Sequence, residues 1–497
     1  MNSIVDELSD TAVQRHELKR KTFGSVAWTL VRIGTDQGFA FLVFALLARL
    51  LTPHDMGLFA LALVFAEAGK LIATAGFPEA IIRDQTLDSE LADTLFWANL
   101  AFGTAVAAAL FASAEFIAAF FQEPALAPIL EALTLIIPLS ALGSIHTARK
   151  LRDFGHKSLA SRALASGLVG GGLGIYGAYA GWGVWSLVAQ RAGMEGTSTL
   201  LAFGAYPWLP GRRISLRRLG TVLAFSANTM LTQVLWLAMV RCQDMVVGRM
   251  LAASSVGIYR VSWRAVDLLT QFAVGPFSTA AMPALSRLQE DPPGFAQAYL
   301  RFLSTAALVA FPTMLGFGAL AEDAVPLVFG ERWQEAGRIA QSLSLLVVPI
   351  VVNALSGPTL AALGRSGTVA RLALLQLLAT IGFTLAAAPY GLETVAGAYV
   401  LRAYLTVPLQ MWVLKREAGI GVLPVLRSIA PPLTAAFAMV VVLVGAEPEL
   451  EPWFPNRTQY LLTAIPCGAV LYLTVLVLVG RRFLAGQIKA LHSIVGR

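Results

Sequence analysis

Two segments of this 497-residue chain carry the same pattern 200 residues apart: Arg49-Leu-Leu-Thr-Pro-His-Asp-Met-Gly-Leu-Phe59 and Arg249-Met-Leu-Ala-Ala-Ser-Ser-Val-Gly-Ile-Tyr259. The first arginine, the leucine in the third position and the glycine coincide, and the last two residues of each segment are chemically similar. Each segment leads into a long apolar run. A fixed offset of this kind indicates an internal repeat, so we predict a chain built from two related halves.

The bulk composition defines the environment in which this repeat folds. Hydrophobic residues make up 57% of the chain and charged residues 13%, and the mean hydropathy is +0.68, whereas soluble proteins carry about 25% charged residues. A soluble protein this apolar could not cover its own core with polar surface. These values exclude an ordinary cytosolic enzyme, a disordered chain and a secreted disulfide scaffold, and they predict a polytopic membrane protein.

The apolar residues fall into fourteen successive runs, each long enough for a membrane-spanning helix of about 20 residues. Their approximate bounds are 25–50, 55–77, 93–121, 126–148, 158–180, 183–207, 219–241, 251–284, 298–321, 339–362, 369–389, 391–414, 422–445 and 459–480. We therefore predict an all-α integral membrane fold of about 14 transmembrane helices, in two six-helix lobes plus a C-terminal helix pair. Because the repeat offset spans six helices, an even number, the lobes should be related by an axis along the membrane normal.

Charge and spacing place the boundaries of these parts and orient them in the membrane. With the N-terminus in the cytoplasm, 25 lysines and arginines fall in inside segments and six, including Arg241, in outside segments. Because cytoplasmic loops are enriched in Lys and Arg, both termini are predicted to be cytoplasmic and the net charge of +7 suggests no nucleic-acid partner. The predicted parts are a tail at 1–24, an N-lobe at 25–212, a C-lobe at 213–416, helices 13 and 14 at 417–480, and an amphipathic cytoplasmic tail at 481–497.

A smaller set of charged residues lies inside the predicted helices, where each costs about 2.5–3.5 kcal/mol. Six cations face four acids: Arg32, Lys70, Arg191, Arg260, Arg264 and Arg402 against Asp36, Glu67, Glu195 and Asp267. An uncompensated cation is very unfavourable in a dry interior, so we predict a water-filled cavity that receives an anionic ligand. The planar fork of arginine suits phosphate oxygens, which makes an anion, such as a phosphate-bearing lipid, the predicted ligand class.

Local spacing predicts which of these groups share a helix face. Glu67 and Lys70, at i,i+3, are predicted to form a structural ion pair. The candidate substrate-binding residues are Arg32, Arg260, Arg264, Arg191, Arg402, Gln271 and Trp263. Four residues of the eighth helix lie within a stripe of roughly 60°: Arg260, Arg264, Asp267 and Gln271. The candidates for ion coupling or charge balance are Asp36, Glu67 and Asp267.

Several other classes are disfavoured by what the sequence lacks. There is no Walker A motif, and hence no built-in ATPase. The outside loops are short, whereas a membrane glycan polymerase or ligase is expected to display a large loop with catalytic residues. The two cysteines and five histidines show no metal-ligand spacing. We therefore expect neither an enzyme nor a bound cofactor.

An ordered series of motifs between residues 20 and 415 resembles the polysaccharide transporter (Wzx-type, WzxC-like) family of the multidrug/oligosaccharidyl-lipid/polysaccharide (MOP) flippase superfamily. The motifs are Leu50-Leu-Thr-Pro-His-Asp-Met-Gly-Leu-Phe-Ala60, Gly76-Phe-Pro-Glu-Ala-Ile-Ile-Arg83, Thr94-Leu-Phe-Trp-Ala-Asn-Leu100, Phe120-Phe-Gln-Glu-Pro-Ala-Leu-Ala-Pro128, Gly183-Val-Trp-Ser-Leu-Val-Ala-Gln190, Gly257-Ile-Tyr259, Pro283-Ala-Leu-Ser-Arg-Leu-Gln289 and Phe329-Gly-Glu-Arg-Trp333.

The resemblance implies a flippase that moves undecaprenyl-pyrophosphate-linked oligosaccharide units from the cytoplasmic to the periplasmic leaflet of the inner membrane, for exopolysaccharide, capsule or O-antigen synthesis. It implies two lobes around a central cationic cavity, alternating access, a polyprenyl tail that passes between helices 1 and 8, and coupling to a proton or sodium gradient. The expected partners are membrane lipids and polysaccharide polymerase or export machinery, and the expected state is a monomer.

Three alternatives remain at this point. A MATE-like multidrug antiporter of the same superfamily would favour an acidic cavity, which the excess of cations opposes. A peptidoglycan lipid-linked precursor flippase would share both the helix count and the cationic cavity. A membrane glycan polymerase or ligase is the alternative from another class.

Overall fold

The computed structural model describes residues 37–74, 76–83, 89–153, 156–212, 214–450, 453–454, 456–481, 483–485 and 487. The predictions for Arg32, Asp36, the N-terminal tail and most of the C-terminal tail lie outside these residues. The chain divides into a unit that ends at Phe44 and a unit that begins at Ala45, and every contact described below lies within the second unit.

The described residues fold into helices and contain no strand. The helices are α1 (Gln37–Leu50), α2 (Pro53–Thr74), α3 (Phe77–Arg83), α4 (Ser89–Ala112), α5 (Ala114–Phe121), α6 (Leu126–Thr134), α7 (Ile136–Arg152), α8 (His156–Tyr179), α9 (Trp185–Ala205), α10 (Leu216–Leu251), α11 (Ala253–Ala273), α12 (Gly275–Ser286), α13 (Pro292–Phe329), α14 (Gln334–Ser344), α15 (Val347–Ala362), α16 (Ser366–Ala387), α17 (Leu392–Ala418), α18 (Val422–Leu450) and α19 (Arg457–Val479). Short 3-10 turns occupy Glu331–Trp333 and Ala388–Tyr390.

Within the described residues, eight helical segments are long and apolar enough to cross a membrane, one of which, Leu126–Arg152, joins α6 and α7. A ninth span results if Glu331–Ser344 and Val347–Ala362, which are bent by 58°, count as one. The chain is thus a multi-pass membrane protein. The fourteen-helix count, the two lobes and their predicted boundaries stay predictions.

Helix starts follow local sequence signals. At the start of α2, Thr52 Oγ1 accepts a hydrogen bond from the Asp55 N–H at 3.1 Å, and Asp55 Oδ2 accepts one from the Thr52 N–H at 3.1 Å. This reciprocal pair satisfies two backbone donors that have no partner inside the helix. Pro53 occupies the first helical position, where its missing N–H costs nothing.

The predicted break between helices 7 and 8 is misplaced. Helix α10 continues through residue 241, where the sequence predicted a helix end, and runs to Leu251. Arg241 and Asp244 therefore lie within a helix, and the assignment of Arg241 to an outside loop was wrong. Their charges are compensated by side chains of other helices, so the helix has no need to end there.

Helix α10 packs antiparallel to α2. Near one end, a Cβ on Gly248 would lie 2.6 Å from Leu61 Cδ2. Near the other end, Gly76, with φ of +72°, lies so close to α10 that a Cβ would stand 2.7 Å from the carbonyl oxygen of Ser226. Only glycine fits this close approach without strain, and the two helices remain in contact along the length of α2.

The segment that joins α9 to α10 is hydrogen-bonded to α4 and α7. Trp97 Nε1 donates to the carbonyl oxygen of Gly211 at 2.8 Å, and the N–H of Gly211 donates to Asp93 at 2.9 Å. His146, which is fully buried, lies 2.9 Å from the carbonyl oxygen of Trp208. These bonds fix the connecting segment against the helices that precede it.

Candidate functional site

Five charged side chains from four helices form one connected group, which we call the charged network: Glu67 of α2, Arg191 of α9, Arg241 and Asp244 of α10, and Arg260 of α11. Glu67 lies 3.0 Å from Arg241 Nη2 and 3.8 Å from Arg191 Nη2. Asp244 lies 3.7 Å from Arg241 Nη1 and also accepts a hydrogen bond from Arg260 Nη2. Three cations and two acids leave the charged network with an excess of one positive charge.

The charged network is only partly closed to solvent. The side chain of Asp244 is 3% exposed, while those of the other four are 18–25% exposed. The Nε atoms of Arg191, Arg241 and Arg260 are buried and have no hydrogen-bond partner among the described residues. A buried donor without a partner costs about 1–3 kcal/mol, so the charged network has unsatisfied capacity to donate to an anion or to water.

The predicted pair between Glu67 and Lys70 does not form. Lys70 Nζ instead donates to Glu195 Oε1 at 2.7 Å, and Glu67 turns to Arg241. Residues three apart on a helix point in directions 60° apart, and here each direction meets a different neighbouring helix. Both acids therefore find cations on other helices.

The polar stripe of the eighth predicted helix lies on α11. Arg260 reaches Asp244, and farther along the helix Arg264 Nη1 lies 3.8 Å from Asp267 Oδ2. Gln271 Nε2 donates to the same carboxylate at 2.7 Å. The stripe thus consists of one residue in the charged network and a separate group of three, in which the Asp267 side chain is 48% exposed.

Arg402 is separate from the charged network. It is 5% exposed, on α17, with Cζ 4.3 Å from the centre of the Tyr399 ring. Among the described residues no carboxylate forms an ion pair with Arg402, and its Nε has no hydrogen-bond partner. Trp263 packs edge-to-face against the same Tyr399 ring at 5.6 Å. Trp263 of α11 and Arg402 of α17 therefore both contact the ring of Tyr399.

Asp244 and Arg241 are the site residues that sequence reasoning missed. The chain between residues 241 and 249 contains one glycine and no proline, so the turn residues expected of a loop are largely absent. Charges three residues apart in such a stretch indicate one face of a continuing helix. The spacing of Arg241 and Asp244 is therefore a sequence signal for one continuous helix, against the rule that charges mark a helix end.

Within the described ranges, no group of three or more His, Cys, Asp or Glu side chains is placed to hold a metal ion. The chemistry that the charged network offers is electrostatic, because it consists of guanidinium and carboxylate groups. Guanidinium groups with free donors can bind phosphate or carboxylate oxygens, and the two acids compensate two of the three positive charges when no ligand is bound.

Comparisons with known proteins point to transport. The succinoglycan biosynthesis transport protein ExoT of Rhizobium meliloti is 26% identical over 464 residues, 93% of both chains. The lipopolysaccharide biosynthesis protein WzxC of Escherichia coli is 24% identical over 344 residues, 69% of both chains. The teichuronic acid biosynthesis protein TuaB of Bacillus subtilis is 22% identical, over 93% of this chain and 96% of its own.

Solved structures identify the fold. The inward closed conformation of the lipid II flippase MurJ superposes with a TM-score of 0.70 at 14% identity, over 91% of this chain and 99% of that one. The inward-facing conformation of a MATE family multidrug transporter of the MOP superfamily gives 0.56 at 18% identity, over 77% and 95%. At these identities the likeness shows the fold alone, and that fold is the one predicted from the sequence resemblance.

These findings agree on a transporter rather than an enzyme, as predicted. A family model described as "Polysaccharide biosynthesis protein" matches residues 46–338. Because this match covers more than half of the chain, the protein belongs to the polysaccharide biosynthesis protein family, and it is a polysaccharide-biosynthesis transporter with the MOP flippase fold.

Proposed function

We propose that this protein is a flippase for undecaprenyl-pyrophosphate-linked oligosaccharide units, which it moves from the cytoplasmic to the periplasmic leaflet of the inner membrane by alternating access. The observation that carries the proposal is the charged network, with its excess positive charge and its buried unpartnered guanidinium donors. An acidic site, expected of a drug or cation antiporter, is not what the described residues form. We also propose fourteen helices in two lobes, cytoplasmic termini and a monomer.

In this mechanism the pyrophosphate enters the charged network and is bound by its arginines. The contact between Arg191 and Glu67, at 3.8 Å, is the longest in the charged network and would be the first that phosphate oxygens replace. Arg260, held by Asp244, would provide a second guanidinium from the neighbouring helix. Phosphate binding to several arginines at once is strong because each bond is charge-assisted.

The rest of the substrate follows from the same geometry. The glycan would occupy the hydrated space beside the stripe of α11, where Gln271 and the half-exposed Asp267 offer hydrogen bonds to hydroxyl groups. The polyprenyl chain would remain in lipid, because its transfer into a polar cavity would lose the hydrophobic stabilisation that the bilayer provides. If transport is coupled to an ion gradient, Asp267 is the most exposed of the described candidate acids.

The test replaces both candidate phosphate ligands of α11 at once. Arg260→Ala with Arg264→Ala should abolish surface polysaccharide while the protein level in the membrane stays normal. Arg416→Ala is the matched control, because its side chain is 67% exposed and lies outside the charged network. Survival of export in the double variant refutes the phosphate site, and collapse of the protein level assigns these arginines to structure.

The identity of the lipid carrier requires a separate experiment. A peptidoglycan precursor flippase remains the alternative, since the MurJ likeness concerns the fold alone. Expression of this chain in cells depleted of their own lipid II flippase decides between the two. We expect no rescue of growth, and rescue would favour the alternative.

A further inference from the structure

The two segments of the sequence repeat touch each other in the structure. At the starts of α2 and α11, a Cβ added to Gly57 would lie 1.7 Å from the carbonyl oxygen of Ala253. A Cβ added to Gly257 would lie 2.0 Å from the carbonyl oxygen of Pro53. Since nonbonded atoms normally stay about 3.5 Å apart, the two backbones are so close at these positions that no residue other than glycine fits.

This contact is symmetric. Gly57 and Gly257 are 200 residues apart, and so are Pro53 and Ala253. Gly57 approaches the carbonyl group of Ala253, and Gly257 approaches the carbonyl group of the equivalent residue, Pro53. The hypothetical Cβ of each glycine also lies 3.0 Å from the backbone nitrogen of the other. The repeat found in the sequence is therefore a local two-fold contact between α2 and α11.

One carboxylate ties the two helix starts together beside this contact. Glu123, in the turn between α5 and α6, lies 3.2 Å from His54 Nε2 and accepts a hydrogen bond from the Ala253 N–H at 3.3 Å. The preceding residue, Ala252, has φ of +98°, a strained value for a residue with a side chain. The two distances lie at and just beyond the usual upper limit of about 3.2 Å, and the His54 side chain is half exposed, so the tie can be released without opening a core.

We propose that this glycine crossing, with Glu123 as its latch, is a gate that closes the transport path at the end where α2 and α11 begin. The proposal rests on the proposed flippase function. Glu67 of the charged network lies ten residues beyond Gly57, about 15 Å along α2. Backbones in van der Waals contact leave no passage for a sugar between the helices, so α2 and α11 must separate before a substrate held by the charged network can leave there.

The gate is tested by forcing the crossing apart. In Gly57→Val, the helices must separate by about 2 Å to restore normal contact distances. Gly172→Val on α8 is the matched control, because nothing lies within 4 Å of its added Cβ. The reporter is Ala60→Cys, one turn beyond Gly57 and 8% exposed, in a chain that also carries Cys242→Ala and Cys467→Ser.

The readout is labelling of the reporter cysteine by a membrane-impermeant maleimide, applied to right-side-out and inside-out vesicles in parallel. We expect the parent and the Gly172→Val chain to be protected, and Gly57→Val to be labelled at least five-fold faster from one side only. Polysaccharide export by Gly57→Val should fall at least ten-fold, because the gate no longer closes.

A second variant keeps the proposal testable if Gly57→Val does not fold. Glu123→Ala removes the latch from an exposed turn, and we expect it to raise reporter labelling while the protein level stays normal. Unchanged labelling in both variants overturns the gate, as does normal export by Gly57→Val. Labelling needs no substrate, so it tests the gate independently of the phosphate site. If the gate variants are labelled as expected but Arg260→Ala with Arg264→Ala still exports polysaccharide, the phosphate site is refuted and the gate is not.

Discussion

The ion pair between Glu67 and Arg241 provides the most direct test of the charged network. Unit charges 3 Å apart attract by roughly 5 kcal/mol at an effective dielectric constant of about 20. About a fifth of each side chain is exposed, and the desolvation of both groups opposes the attraction, so we expect a net coupling of about 1–3 kcal/mol. Glu67→Gln and Arg241→Gln should each lower the free energy of unfolding, because each leaves a partly buried opposite charge with only its longer contact, Arg241 with Asp244 at 3.7 Å or Glu67 with Arg191 at 3.8 Å.

The double variant separates pairing from simple loss of a side chain. Glu67→Gln with Arg241→Gln should destabilise the protein by less than the sum of the two single changes, by the coupling energy above. The measurement is denaturant unfolding in mixed micelles, followed by tryptophan fluorescence. Glu393→Gln, which removes an exposed ion pair with Arg338, should change stability by less than about 1 kcal/mol. Strict additivity of the two single changes would refute the interpretation of these contacts as a coupled network.

Three further expectations concern single residues. Arg402→Met should leave the free energy of unfolding unchanged or raise it by about 1 kcal/mol, since it removes a buried charge. Polysaccharide export should fall if this charge serves transport. Strong destabilisation would instead reveal a partner that compensates the charge. Trp333→Phe should cost about 1–3 kcal/mol in the same unfolding assay, because it leaves the Ala48 carbonyl oxygen without its 2.8 Å bond; an unchanged stability would contradict this. Trp97→Phe should cost about 1 kcal/mol and speed hydrogen exchange at Gly211, whose carbonyl oxygen loses its donor, and unchanged exchange would contradict the fixed connection.

The assignment to membrane proteins and the all-helical fold could be predicted, because both depend on composition and on runs of adjacent apolar residues. Hydropathy alone does not say where a run bends. The apolar stretch near 339–362 is divided between α14 and α15, because a kink depends on what packs against each half. Likewise α10 continues through Arg241, since the charge that should have ended it is compensated from α2.

The partners of the charged residues could not be predicted from spacing. Periodicity gives the face of α2 on which Lys70 lies, but it does not identify the helix opposite that face. Here the opposite helix is α9, and Lys70 pairs with its Glu195 and not with Glu67 of its own helix. The stripe of α11 was foreseen as a face and not as two separate groups. The repeat was recognised from residues such as Gly57 and Gly257, but their mutual contact is a property of the folded chain.

The crossing of Gly57 and Gly257 has the form of an interface between two identical subunits, although one chain supplies both sides. In a two-fold dimer a residue on the axis contacts the same residue of the other subunit, so one glycine in the sequence supplies a small residue to both sides of the contact. In this chain the two sides of the contact have separate positions in the sequence, so a mutation on one side is not matched on the other. Each glycine is therefore confined by the backbone of the other segment, so neither position can accept a side chain, whichever residue stands at the other.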